Sequence, residues 1–315
     1  MTAPDVIVMG EPLIELTAAV GLAEATRLDL GVSGDAVNAA AAATAAGARV
    51  ALLACVGDDE LGERILRFCA DRGIDTSRVR RVDAPNGVYF AVADREGARD
   101  FVYLRQGSAG SRLAPADVDA AGAAGGWLLV SGVTHALSPS AAAAVEHAAR
   151  GAAAAGRSVI YDPNFRRRLT SVAGARAALE AVAPHAALVM PSCPAESRAL
   201  LGTGDPVEAA AACLALGART AVVTCGADGV VVDAGDGPVH VPAAPARSIV
   251  DATGAGDVLA GTVAARLALG DELLEAVALG TAASALSLVG RGGTGHVPAL
   301  EQTRAHLATA NRMPT

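Results

Sequence analysis

Val6-Ile7-Val8-Met9, closed by Gly10, is a short apolar run that reads as a buried strand. Outward from it, Val37 to Gly47 reads as an Ala-rich helix ended by glycine. Arg49 to Val56 reads as a second strand, running into Gly57-Asp58-Asp59, and Glu60 to Arg72 as an amphipathic helix. A β-α-β-α order favours a parallel sheet covered by helices. Val88–Asp94 and Asp100–Arg105 interrupt that rhythm. They alternate, flank a turn at Arg95-Glu96-Gly97, and hold four of the seven Phe and Tyr residues, so they predict an aromatic hairpin suited to a lid. Strands follow at Trp127–Ser131, Ser158–Tyr161, Ala187–Met190 and Thr220–Thr224, with helices at Pro139–Ala154, Ala173–Ala183 and Pro206–Leu216. Gly229–Asp233 and Val239–Val241 read as a late antiparallel pair. Three helices, starting near Gly254, Glu272 and Ala299, close the chain, and no linker divides it.

Hydrophobic residues make up 52% of the 315 residues but aromatics only 3%, so the core must be built of Ala, Val and Leu. A net charge of −8, with no basic cluster except Arg166-Arg167-Arg168, argues against nucleic acid and anionic membrane as partners. Five cysteines without a Cys-x-x-Cys pair predict reduced, mostly buried thiols and a cytoplasmic setting. Val6–Met9 is too short for a signal peptide, and no window reads as a membrane span. The six histidines show no metal-ligand spacing, and no Gly-x-Gly-x-x-Gly after a strand or Gly-Lys-Ser/Thr occurs.

Asp251-Ala252-Thr253-Gly254-Ala255-Gly256-Asp257 points to chemistry. An Asp capping a glycine-containing helix would account for Asp-Ala-Thr-Gly alone. Two glycines around one alanine, then Asp at the helix start, better fit an anion held by backbone N–H groups with a carboxylate beside an alcohol. That arrangement suits phosphoryl transfer. In Ser33-Gly34-Asp35-Ala36-Val37-Asn38, Asp35 reads as a cap, and Asn38 either as a solvent-facing polar residue or as a ligand for sugar hydroxyls. Tyr103 and Arg105 share a strand face and could hold a carboxylate, or Arg105 could simply cover an aromatic ring. Asp162-x-Asn164-x-Arg166 lies just past a strand, where α/β sheets bind ligands. Thr224-Cys225-Gly226-Ala227-Asp228-Gly229 is a glycine turn where a nucleotide could approach backbone.

Together these motifs resemble the ribokinase-like, PfkB-type carbohydrate kinases over nearly the whole chain. Gly34 through Asn38 to Gly47 resembles the N-terminal sugar-binding signature, Val56-Gly57-Asp58-Asp59-Glu60-Leu61-Gly62 the next segment, and Asp251–Asp257 the C-terminal signature. Tyr103-x-Arg105-x-Gly107-Ser108-Ala109, Ser131-Gly132-Val133-Thr134 with Ala136-Leu137-Ser138, and Asp162-x-Asn164-x-Arg166 are more narrowly similar to 2-keto-3-deoxygluconate kinases.

The resemblance implies a single α/β domain over residues 1–315. It would be a three-layer fold, a central mostly parallel sheet between helices, with a small β-sheet lid from inserts at about 12–32 and 86–112. It implies ATP-dependent phosphorylation of the terminal hydroxyl of a small sugar acid, 2-keto-3-deoxygluconate first. The alternatives are a neutral sugar or nucleoside, or a non-catalytic sugar-binding protein, against which the intact Asp257 speaks. By resemblance Asp257 is the base, with Gly254, Ala255 and Gly256 as the anion hole. Gly34, Asp35, Asn38, Tyr89, Tyr103, Arg105 and Arg166 meet the substrate. Asn164, Thr224, Gly226 and Gly229 lie by ATP, and Glu196 holds Mg²⁺ through water. Asp251 and Thr253 are candidates for a monovalent cation such as K⁺, and the lid edge for a homodimer contact. The chain departs from the family pattern at Cys193, where Asn is common, and at Gly293, where relatives acting on ketodeoxygluconate tend to be acidic.

Overall fold

The computed structural model describes residues 3–18, 20–93, 99–121 and 125–310. The strands are β1 (Val6–Met9), β2 (Leu13–Ala18), β3 (Asp29–Ser33), β4 (Val50–Gly57), β5 (Asp75–Val82), β6 (Gly87–Ala93), β7 (Arg99–Leu104), β8 (Trp127–Ser131), β9 (Ser158–Asp162), β10 (Leu188–Val189), β11 (Thr220–Thr224), β12 (Val230–Asp233) and β13 (Pro238–Val241). The helices are α1 (Asp35–Ala45), α2 (Glu60–Ala70), α3 (Pro115–Ala121), α4 (Gly132–His135), α5 (Pro139–Ala154), α6 (Val172–Val182), α7 (Ala195–Leu200), α8 (Pro206–Ala215), α9 (Ala255–Ala268), α10 (Leu273–Ser287) and α11 (Leu300–Ala310).

Among the described residues nine strands form one sheet in the order β13-β12-β11-β10-β9-β8-β1-β4-β5. Pairing is parallel from β11 to β5 and antiparallel between β11, β12 and β13. β1 is fully buried and lies between β8 and β4, so the chain departs from it in both directions. That makes its carboxyl end a switch point where a crevice opens. Alternate residues of the central strands face two separate cores. Val6, Val8 and Leu52 pack with α1, α2 and α9, while Ile7, Met9 and Leu53 pack with α5, α6 and α8. The architecture is therefore three layers, α/β/α.

The second sheet, in the order β3-β2-β6-β7, is the lid. β6 and β7 pair antiparallel with Tyr89 opposite Tyr103, as the alternation predicts, while the turn at 95–97 lies outside the described residues. The lid is more than a hairpin, because β6 pairs parallel with β2, a strand from the first insert. β2, β3 and β5 carry no clear signal in the sequence. β5 interleaves arginines at 78, 80 and 81, which an edge strand with a single neighbour tolerates.

Local rules account for the helix starts. Asp59 caps α2 by accepting from Gly62 N–H at 2.8 Å, Ser138 caps α5, and Asp205 caps α8, the last two followed by proline. α1 has no amphipathic pattern because it is covered all round: every residue from Ala36 to Ala43 is buried. One side meets the sheet and the other meets α9. The two helices approach at Gly261, where an added Cβ would stand 2.1 Å from the Ala39 carbonyl oxygen. Gly261→Ala must push α9 off α1. It should lower stability by about 1–3 kcal/mol, read in a urea titration, and reduce turnover in the same variant.

Candidate active site

The segments at or just past the C-terminal ends of β8, β9, β10 and β11, the start of α9 and the inner face of the lid enclose a cleft of about 1630 Å³. Gly34, Asp35, Asn38, Tyr89, Tyr103, Arg105, Asn164, Arg166, Glu196, Thr224, Asp251, Thr253, Gly254, Gly256 and Asp257 all line it. Ala255, Gly226 and Gly229 do not. Gly226 and Gly229 form the turn between β11 and β12. Gly229, at φ 89°, would bring a Cβ within 2.3 Å of the Val241 carbonyl, so chain geometry alone explains the glycine.

Asp257 lies in the first turn of α9. Asn38 Nδ2 donates to its Oδ2 at 2.8 Å, and Asn164 Nδ2 stands 3.4 Å from its Oδ1. Asn38 is thus neither solvent-facing nor free; its amide is turned to the carboxylate. Burial raises the Asp257 pKa to about 7, and the nearby Asp35 carboxylate adds to this against Asn38, Arg166 and Asn164.

Gly254 precedes α9 at φ 79°, a left-handed conformation that places the helix start. The Ala255 N–H is spent on the Ala252 carbonyl at 3.2 Å. The next N–H groups belong to a first turn with no earlier carbonyl inside the helix. Gly256 is exposed, and an added Cβ there would meet nothing within 4 Å, so an anion has open access to its backbone. Asp251 is held structurally: Oδ1 accepts from Thr253 N–H and Oγ1 at 3.0 and 2.8 Å, and Oδ2 from Gly292 N–H at 2.6 Å.

Asp35 differs from the expected cap. Gly34, at φ 106°, starts α1, and the Asp35 carboxylate instead accepts from Ser131 Oγ at the end of β8. Its other oxygen, Oδ1, is buried without a hydrogen-bond partner. Burial raises its pKa, with Ser131 and Arg105 opposing. A Cβ at Gly34 would meet the Glu11 carbonyl at 2.4 Å, so this glycine too is required by the backbone.

The segment after β9 makes a tight turn. Asp162 Oδ1 accepts from Asn164 N–H at 2.9 Å, and Asn164 takes φ 41°, a left-handed value that Asn tolerates. This aims Asn164 at Asp257. The triple arginine is an exposed turn, in which Arg166 lines the cleft. Arg168 Nη1 donates to the Phe101 carbonyl, tying this turn to the lid. Glu196 Oε1 accepts from Phe165 N–H at 2.5 Å, and Oε2 from Ser192 N–H and Oγ at 2.6 and 3.0 Å. Burial, then Glu196 and Asp257, push Asp162 well above the usual carboxylate range.

Arg105 is where the reading of the sequence needs most correction. Its Nη2 pairs with Glu11, which is 0% exposed and also accepts from Ser108 Oγ. Burial raises the Glu11 pKa against the pull of Arg105. Arg105 Nε is buried without a hydrogen-bond partner, and the little of the guanidinium that lines the cleft already has its charge matched by Glu11. Glu11 escaped notice because it sits in no motif. Its place immediately past the C-terminal end of β1 was the available signal. Tyr89 likewise spends its hydroxyl inside the protein, donating to Ser33 Oγ at 2.9 Å. Cys193 is half-buried and donates to the Gly204 carbonyl, and with Cys225 it stands apart from the three buried thiols. Among the described residues no cluster of three or more His, Cys, Asp or Glu could hold a metal ion. No helix among them is long and apolar enough to cross a membrane.

Residues 3–300 match the family model of the pfkB family carbohydrate kinases. The chain belongs to that family. This kinase is 38% identical over 302 residues to the 2-dehydro-3-deoxygluconokinase of Thermoproteus tenax, covering 93% of this chain and 91% of the relative. The crystal structure of a PfkB protein from Polaromonas sp. JS666 is 30% identical, with a TM-score of 0.86 over 96% of this chain and 100% of that one. A ribokinase II structure from E. coli, in complex with ATP and Mg²⁺, shares the fold at 24% identity, with a TM-score of 0.88 over 98% and 100% of the two chains.

Two consequences of the raised Asp257 pKa are measurable. A base must be ionised to accept a proton, so kcat/KM should rise with pH through a limb near 7. Asp35→Asn, which removes a like charge, should move that limb to lower pH. The folded state also holds this proton more tightly than the unfolded chain does, so stability is lost as pH rises through about 7. Asp257→Asn should therefore raise the melting temperature more at pH 8.5 than at pH 5.

Proposed function

We propose that this kinase transfers the γ-phosphoryl group of ATP to the terminal hydroxyl of a small sugar acid, with 2-keto-3-deoxygluconate giving its 6-phosphate as the first candidate. The observation that carries the reading is the pairing, in one cleft, of Asp257 beside an open helix start with Arg166 as an exposed cation. The relationship to a 2-dehydro-3-deoxygluconokinase supports the choice of acid.

Asp257 accepts a hydrogen bond from the substrate hydroxyl and orients it. An alcohol is a far weaker acid than a group titrating near 7, so the proton passes to Asp257 as the new P–O bond forms. The bond from phosphorus to the β–γ bridging oxygen breaks, and ADP leaves with the electron pair. The open backbone at Gly256 and the α9 dipole stabilise charge on the transferring oxygens. Preorganised stabilisation of this kind is worth ~3–4 kcal/mol in other enzymes. Asn164 and Thr224 border the phosphate path; Tyr103, Arg166 and the cleft side of Arg105 receive the sugar acid. The lid excludes water, which limits ATP hydrolysis.

Mg²⁺ would come with ATP. Glu196 fits a water-mediated role: it lines the cleft, and Oε1, with Phe165 N–H as its one protein donor, keeps a lone pair, whereas Oε2 is filled by Ser192. Bound there, the ion neutralises phosphate charge. We further propose that Asp251 and Thr253 take a monovalent cation such as K⁺, that residues 1–315 form one α/β domain, and that the kinase works in the cytoplasm.

A neutral sugar is the second reading, and the Glu11–Arg105 pair favours it, because one of the two cations is already matched by a buried carboxylate. ADP release with Mg²⁺-ATP over ketodeoxy acids, aldonates, ketohexoses, pentoses and nucleosides decides between them. Arg166→Ala should raise KM for the preferred acid at least tenfold while leaving KM for the matching neutral sugar within about twofold; equal effects would refute the carboxylate role.

The lid's outer face supports a homodimer. Leu30 and Val102 lie in one row across the sheet, with Leu104 beside it, and the three are 39%, 41% and 62% exposed. Leu104→Lys should shift sedimentation from dimer to monomer.

A further inference from the structure

Behind Asp257 runs a line of polar groups that no step above uses. Tyr89 Oη, on β6, donates to Ser33 Oγ at 2.9 Å. Ser33, the last residue of β3, donates to Asn38 Oδ1 at 3.2 Å, and Asn38 Nδ2 donates to Asp257 Oδ2 at 2.8 Å. Tyr89, Ser33 and Asn38 are 4%, 1% and 3% exposed. From Ser33 on, the donors point towards the carboxylate, so the Ser33 bond polarises the next, while Glu15 competes with Ser33 for the Tyr89 proton.

Ser33 reinforces how Asn38 stands. A carboxamide can be reversed end for end, and a reversed Asn38 would turn its oxygen towards Asp257, where it repels the carboxylate. The Asp257 carboxylate, which can only accept, calls for the NH₂, and the Ser33 hydroxyl, by donating to Oδ1, reinforces that orientation. The packing confirms how closely this pair is held. A Cβ at Gly293 would fall 2.3 Å from Ser33 Oγ and 2.5 Å from Asn38 Nδ2, and one at Gly254 would fall 3.0 Å from Asn38 Nδ2. Two backbone segments without side chains press on the link from outside. That explains why Gly293 carries no side chain here, acidic or otherwise.

We infer that Ser33 is a positioning residue for Asp257. Acting through Asn38, it holds one carboxylate oxygen in place and leaves the other to the substrate hydroxyl, and it ties the lid strand β3 to the base. The inference rests on the phosphotransfer reading only in taking Asp257 as proton acceptor; it is independent of which sugar is used. Around Asp257 the other facing groups are Asp35 from α1, Asp162 at the end of β9, and Asn164 and Arg166 from the segment after it. Tyr89 also faces Glu15 of β2.

The test reads the Asp257 carboxyl directly by ¹³C NMR titration without substrate, alongside kinetics on the best substrate of the panel. Donation from Asn38 favours the ionised form, so weakening it raises the midpoint. Ser33→Ala should raise the Asp257 midpoint by about 0.5–1 pH unit. It should also lower kcat about five- to twentyfold, with the sugar KM within about twofold. Ser33→Thr, which keeps the hydroxyl, should recover most of both. Tyr89→Phe should move the midpoint the same way by less. An unmoved midpoint in Ser33→Ala, equal losses in the Ala and Thr variants, or a loss confined to KM would overturn the assignment. The titration needs no turnover, so failure to phosphorylate any sugar acid would count against the substrate reading and leave this one to be judged on its own.

Discussion

The close contact between α1 and α9 is the constraint on which the site depends. Each helix brings one half of the central polar pair, Asn38 or Asp257, and the pair meets at 2.8 Å only because the helices nearly touch. Small residues make this approach affordable: Ala39 on α1 faces Gly261 on α9, and nothing larger fits. The Ala-rich, aromatic-poor composition is the chemical form of that requirement, since bulkier side chains would hold helix axes apart. Burial of so many methyl groups, at roughly 0.8 kcal/mol per carbon, stabilises the layers without thickening them.

Charge inside the cleft is arranged against stability. Asp35, Asp162 and Asp257 all sit where burial penalises their ionised forms, and each raises or feels another. Arg166 opposes all three from an exposed turn, and Arg105 is shared with Glu11. A group of carboxyls that would sooner stay protonated is costly in a resting fold and useful in a reaction that must place one proton. Ser131, Asn38, Asn164 and the backbone of the Asp162 turn hold these groups in register.

Much of the fold was legible because its signals are local. The strand β1, the helices α1, α2, α5, α6 and α8–α11, and the β6–β7 hairpin follow from apolar runs, caps and glycines. β2 and β3 were not legible as strands because their partners lie across the lid, and a mixed sheet depends on pairing rather than on propensity. In the site, the motif residues that face the cleft were found, and the partners that hold them, inside a motif or not, were missed. Glu11, Ser33 and Ser131 each do their work through a long-range hydrogen bond, which spacing along the chain cannot express. Arg105 was found but its availability was overstated, because its partner lies 94 residues away in sequence.

The Asn38–Asp257 bond joins residues 219 apart. During synthesis α1 is made well before the helix that covers its outer side, whose Asp257 follows Asn38 by 219 residues. Until α9 arrives, the Ala-rich face of α1 has no cover, and the growing chain must wait with that surface exposed. The chain therefore gains its base, its anion site and the seal over its first helix in one late step, so an incomplete copy is both inactive and the form most prone to stick to its neighbours.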